Sequence, residues 1–123
     1  MATTDQIGTF TGKDIVGDKC VDPSDHFDAD IPAIHMMYKT VDLPKPGDVY
    51  VIQWIAENVG AAAPPNTVIA TLNEPVTEVG FGVKSYQVDS KLTKPTSGWP
   101  IGKYRIEVKL DGNLVTTARF AIE

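Results

Sequence analysis

The sequence predicts an all-β chain, an antiparallel sandwich of about seven to eight strands in a single domain spanning residues 1–123. Three observations lead there. Residues 103–110 alternate cleanly, with Tyr104, Ile106, Val108 and Leu110 on one face and Arg105, Glu107 and Lys109 on the other; that is the period of a half-buried strand. Asp111-Gly112 follows, and Leu114, Thr116, Ala118, Phe120 and Ile122 form a return strand, so a tight hairpin with positive φ at both turn residues is expected. No window of a dozen residues repeats at helical spacing, while nine Pro and ten Gly punctuate the chain, as in sandwiches and barrels of short strands.

Taken in order, residues 6–11 read as an edge strand and residues 22–32 as an acidic loop. Residues 33–41 are rich in β-branched and bulky side chains and end at the turn cluster Leu43-Pro44-Lys45-Pro46-Gly47-Asp48. Residues 49–56 (VYVIQWIA) are almost continuously apolar, with Gln53 the one polar break, which suits a central strand covered on both faces. A Gly-Ala-Pro loop over 58–66 precedes a short strand at 67–72 and a turn at Asn73-Glu74-Pro75. Residues 76–83 read as a weakly alternating strand in which Gly80 and Gly82 suggest a bulge. Residues 86–92 give another short strand, and 95–102 a loop. The sandwich is thus expected over residues 33–123, with residues 1–32 a less regular segment.

Composition narrows function. The net charge is −5. Seven aspartates against Lys13 and Lys19 place all of it in residues 1–30, and nine acids against nine bases leave the remainder neutral. Phosphate binding needs clustered Lys and Arg, so nucleic acid is a poor partner, as is an anionic membrane surface. No apolar run approaches the ~20 residues that span a bilayer. Cys20 is the single cysteine, so no intrachain disulfide can form. Met1-Ala2-Thr3-Thr4 has neither a basic nor an apolar leader region.

Two features resemble the immunoglobulin-like group. Trp54 follows Tyr50 and Ile52 on one face of a central strand, similar to the buried tryptophan of such sandwiches. In Leu92-Thr93-Lys94-Pro95-Thr96-Ser97-Gly98-Trp99-Pro100-Ile101-Gly102-Lys103-Tyr104, a Leu, a Pro/Gly turn and a Tyr opening a strand resemble the corner of fibronectin-III domains, where the tyrosine hydroxyl bonds back to the loop. The stretch from Gly98 to Tyr104, with Asp111-Gly112 and Phe120, also looks like small bacterial extracytoplasmic immunoglobulin-like domains. The resemblance covers residues 33–123 and lacks the paired cysteines of antibody domains. It implies a bacterial interaction or accessory module, monomeric, at the periplasm or cell surface with a leader removed upstream of Ala2; the cytoplasm is the alternative.

Candidate chemistry is sparse. No nucleophile elbow, zinc-protease helix motif or phosphate loop is present, so an enzyme is not expected, and a Cys20–His26 nucleophilic pair is the one arrangement to test. Cys20, His26, His35, Met36 and Met37 supply the ligands that select copper; on a strand His35 and Met37 share a face and Met36 points the other way, so a small copper-binding protein is an alternative, the plainer reading being that His35 and Met37 lie on a partly exposed face. Asp22, Asp25, Asp28 and Asp30 offer hard oxygen ligands without EF-hand spacing, and read best as a solvated loop. No cofactor is expected. For a protein or glycan partner, Trp99 between Gly98 and Pro100 is the candidate exposed ring, against the alternative that it folds back to cap one end. A carbohydrate-binding module is the other alternative.

Overall fold

The structure, a computed structural model, describes residues 7–17 and 19–123. Among them run ten strands: β1 (Gly8–Gly12), β2 (Asp14–Val16), β3 (Lys19–Val21), β4 (His26–Phe27), β5 (Ala33–Thr40), β6 (Val49–Asn58), β7 (Thr67–Pro75), β8 (Tyr86–Thr93), β9 (Gly102–Leu110) and β10 (Asn113–Ile122). A single 3-10 turn, Gly60–Ala62, is the only helical piece among the described residues, so the fold is all-β. One sheet has the order β1-β5-β8, a second the order β4-β10-β9-β6-β7, and β2–β3 form a separate hairpin.

The two larger sheets enclose one core because each strand turns its apolar alternation inward. β5 contributes Ile34 and Met36, β8 Val88, β6 Tyr50, Ile52, Trp54 and Ala56, β9 Tyr104, Ile106 and Val108, and β10 Phe120 and Ile122. Trp54 spans the gap: its indole N–H donates to Ser90 Oγ at 2.9 Å, tying β6 to β8 across the sandwich. Phe120 sits against Phe27, Trp54 and Tyr104, with centroids 6.0, 6.0 and 5.1 Å away. The Tyr104 hydroxyl donates to the carbonyl of Pro100, four residues back, at 2.5 Å, and burial pushes that phenol up to about 12. At the β9–β10 turn both Asp111 (φ 50) and Gly112 (φ 88) have the positive φ that a type I′ turn requires.

Several expectations are corrected. Residues 76–83 form no strand. β7 instead runs on through Asn73 and Glu74 to Pro75; it lies at a sheet edge, where a missing proline N–H costs no ladder bond at the strand's end. The sandwich begins at Gly8 rather than residue 33, because β1 pairs with β5; Gln6, the expected start of that strand, lies outside the described residues, as do Met1 to Thr4. The pairing is not wholly antiparallel: β4 runs parallel to the end of β10, where Ala121 N donates to Asp25 O and Glu123 N to Phe27 O. Seven strands have five or more residues, and the short β2, β3 and β4 carry the total to ten.

Replacing Trp54 by Ala should cost about 3–5 kcal/mol, through the cavity and the orphaned Ser90; chemical denaturation showing under 1 kcal/mol would remove Trp54 from the core. Tyr104→Phe should lose about 1 kcal/mol by the same measurement, and no loss would mean that the hydroxyl bond contributes nothing.

Candidate functional site

Three connections converge at one end of the sandwich. β5 leaves at Thr40 opposite Tyr86, the first residue of β8, and β6 starts at Val49 opposite Pro75, the last of β7. Leu110 pairs with Tyr50 at the same level. Residues 41–48, residues 76–85 and the Asp111–Gly112 turn therefore share this end. The first two are laced together by Gly47 N to Val76 O and Val76 N to Asp48 O, both 2.8 Å. The turn joins through Val49 N to Asp111 Oδ1 at 3.0 Å. The Asp48 carboxylate accepts from Lys45 N at 2.8 Å, which holds it below the usual carboxylate range. Polar groups at the base of the loops are thus used for bracing.

What the loops present outward is mixed: Asp42, Lys45, Glu78 and Lys84 are exposed, and apolar side chains stand among them. Val41 and Leu43 are exposed on the first connection, Phe81 and Val83 on the second, and Leu114 and Val115 just past the turn. Phe81 is fully exposed, at 108% of its reference area. It sits between Gly80 and Gly82 on a tight turn closed by Val83 N to Gly80 O, with Gly82 at φ 77. Isolated exposed aliphatics are ordinary, whereas a fully exposed Phe is uncommon and is the feature of this end that stands out.

The ring that the sequence singled out lies elsewhere. Trp99 is only 4% exposed, which corrects the reading of it as an exposed partner anchor. Its indole N–H donates to Ile31 O at 2.9 Å, and its ring packs edge-on to Tyr104 with centroids 6.1 Å apart. Trp99 caps the opposite end of the sandwich.

The copper candidates are partly gathered. His35 and Met37 share the outer face of β5, away from Met36 in the core. Met37 is nonetheless fully buried rather than half-exposed, because the β2–β3 hairpin packs against β5 and covers that face. Cys20 of the hairpin lies over Gly12, the residue paired with His35. Its thiol is pushed up first by burial and then by Asp89, which disfavours the thiolate that metal binding and nucleophilic attack need. His26 stands apart on β4, with Nδ1 3.0 Å from Asp25 Oδ1. Asp22, Asp28, Asp30, His26 and Glu123 line an open cleft of about 760 Å³. Among the described residues no three of His, Cys, Asp and Glu are grouped so as to hold a metal ion.

No family model matches the chain, and no curated protein matches it either. The loop end was missed in the sequence because Val79, Phe81 and Val83 alternate like a strand. The signal for a turn was the Gly80-Phe81-Gly82 triplet, in which glycines flank the one large ring.

Phe81→Ser should leave stability within about 0.5 kcal/mol of the parent, since the ring touches little, while reducing fluorescence of a bound apolar dye; a loss above ~2 kcal/mol would show the ring packed in the fold. The bond to Asp25, and then the charge of Glu123, raise the His26 pKa. A raised folded-state pKa favours folding below the ordinary histidine value, and that contribution is lost as pH rises through the folded value. The His26 ring should therefore titrate by NMR above an unperturbed histidine, and Asp25→Asn should bring its midpoint down. An unchanged midpoint in that variant would sever the pairing.

Proposed function

We propose that this chain is a non-enzymatic immunoglobulin-like interaction module that binds a protein partner through the loop end bearing Phe81. The observation that carries the reading is the fully exposed Phe81 on a braced connection, at the end of the sandwich where Val41, Leu43, Val83, Leu114 and Val115 are exposed too. Function carried by loops at one end of a rigid sandwich is the common use of such folds. The immunoglobulin-like assignment is supported by strand order. Counting the seven long strands, the first, second and fifth form one sheet, and the seventh, sixth, third and fourth the other; that is the Greek-key order of fibronectin-III and related sandwiches. The Trp54 core position and the Tyr104 corner bond support it further. A bacterial extracytoplasmic setting belongs to the same proposal.

A protein partner fits better than a glycan. Sugar stacking needs an accessible aromatic platform with polar groups beside it, and the platform first considered, Trp99, is buried. Phe81 stands fully exposed between two glycines, a single ring that suits an apolar pocket on a protein as the desolvated centre of an interface.

The test is site-specific photo-crosslinking in the source cell. A photoreactive phenylalanine at position 81 should yield one discrete protein adduct, and the same probe at Lys91, on the edge strand β8, should yield none. Equal labelling from both positions, or no adduct from position 81, would overturn the loop-end reading.

A further inference from the structure

Asp22-Pro23 is the one Asp–Pro bond in the chain, and it lies in the connection from β3 to β4. Asp22 is held in the left-handed region, at φ 49. A following proline ring pushes its neighbour toward extended backbone, so the position is strained beyond what aspartate ordinarily meets there. The strain is held in place because both flanks are pinned to the end of β1. Lys13 N donates to Val21 O at 3.0 Å and Ser24 N to Thr11 O at 2.9 Å, and Thr11 Oγ1 donates to Ser24 O. Among the described residues the Asp22 carboxylate has no hydrogen-bond or ion-pair partner, and the residue is exposed. Strained backbone persists only where its surroundings impose it, and it gathers at reactive sites.

We propose that the chain cleaves its own Asp22–Pro23 bond, with the Asp22 carboxylate as nucleophile and the His26 imidazolium as proton donor. Both residues line the same cleft, whose other charged groups are Lys13, Asp28, Asp30 and Glu123. Asp25 engages His26 Nδ1 at 3.0 Å, so Nε2 carries the transferable proton. A carboxylate oxygen of Asp22 attacks the main-chain carbonyl carbon of its own residue. The new C–O bond closes a cyclic anhydride and the C–N bond to Pro23 breaks. The imidazolium proton passes to the prolyl nitrogen, which leaves as a secondary amine. Water then opens the anhydride to two carboxylates, and the protons released go to His26 and to the prolyl amine. The nucleophile is already in place, and protonating a poor leaving group is the ordinary task of a histidine acid. The bond to Asp25 and then the charge of Glu123 raise the His26 pKa, which keeps more of the donor protonated toward neutral pH. Cleavage frees Asp22 from its strained φ. Residues 1–22 stay attached to the fold through the ladder between β1 and β5.

Intact-mass spectrometry of the purified full chain, held at about pH 6 where histidine titrates, tests the proposal. The chain should separate under denaturing analysis into residues 1–22 and 23–123. The folded chain should be cut roughly tenfold or more faster than the same chain unfolded in urea at that pH, the size that local strain supplies. Asp22→Asn and Pro23→Ala should each stay whole. The rate should rise as pH falls through the His26 titration. Asp25→Asn should move that profile to lower pH, and His26→Gln should flatten it. An unfolded chain cut as fast as the folded one, a cut at the same bond in Asp22→Asn, or a pH profile that His26→Gln leaves unchanged would each overturn the proposal.

Discussion

The fold turns on one cross-sheet contact, the Trp54 indole donating to Ser90 Oγ inside the core. Both partners are buried. A hydrogen bond across two sheets fixes what apolar packing alone leaves loose: the level at which one sheet slides against the other. Hydrophobic burial is non-directional; an indole N–H left without an acceptor in the core is costly. The β5–β8 ladder therefore has a defined height relative to β6, and the aromatic set around Phe120 stacks on that frame.

The loop end follows from that constraint. Its three connections leave strands whose registers are set by the sheets, and short hydrogen bonds between Gly47, Asp48, Val76, Val49 and Asp111 hold the connections to one another. The scaffold satisfies polar backbone groups at the loop bases and leaves Phe81 exposed at the tip of the second connection. An interface that is already ordered before binding loses less entropy when it binds. The two ends of the molecule differ in this respect. At the far end Trp99 turns inward to bond Ile31 O and seals the core, whereas Phe81 at the near end stands in solvent.

Legibility in the sequence tracked the strength of local periodicity. The β9–β10 hairpin was readable because alternation, an Asp-Gly turn and a return strand all agree. β5 and β6 were readable because their apolar runs have strand length. The stretch around Phe81 was misread for the converse reason: three apolar residues at alternate positions imitate a strand, and only two glycines argue otherwise. The β2–β3 hairpin escaped notice because its strands are three residues each, too short for a period to show. Its effect was tertiary, burying Met37 and raising the Cys20 thiol. Trp99 was ambiguous in sequence because a loop tryptophan can turn either way. The choice is made by an acceptor, Ile31 O, that lies 68 residues distant in the chain.

A double-mutant cycle on Trp54→Phe and Ser90→Ala tests the cross-sheet contact most directly. Each single change should destabilise the fold, and the pair should cost less than their sum, with a coupling of about 1 kcal/mol or more by denaturant unfolding. Additive losses within ~0.3 kcal/mol would show that the indole and hydroxyl do not act together, and the two sheets would then be held in place by packing alone.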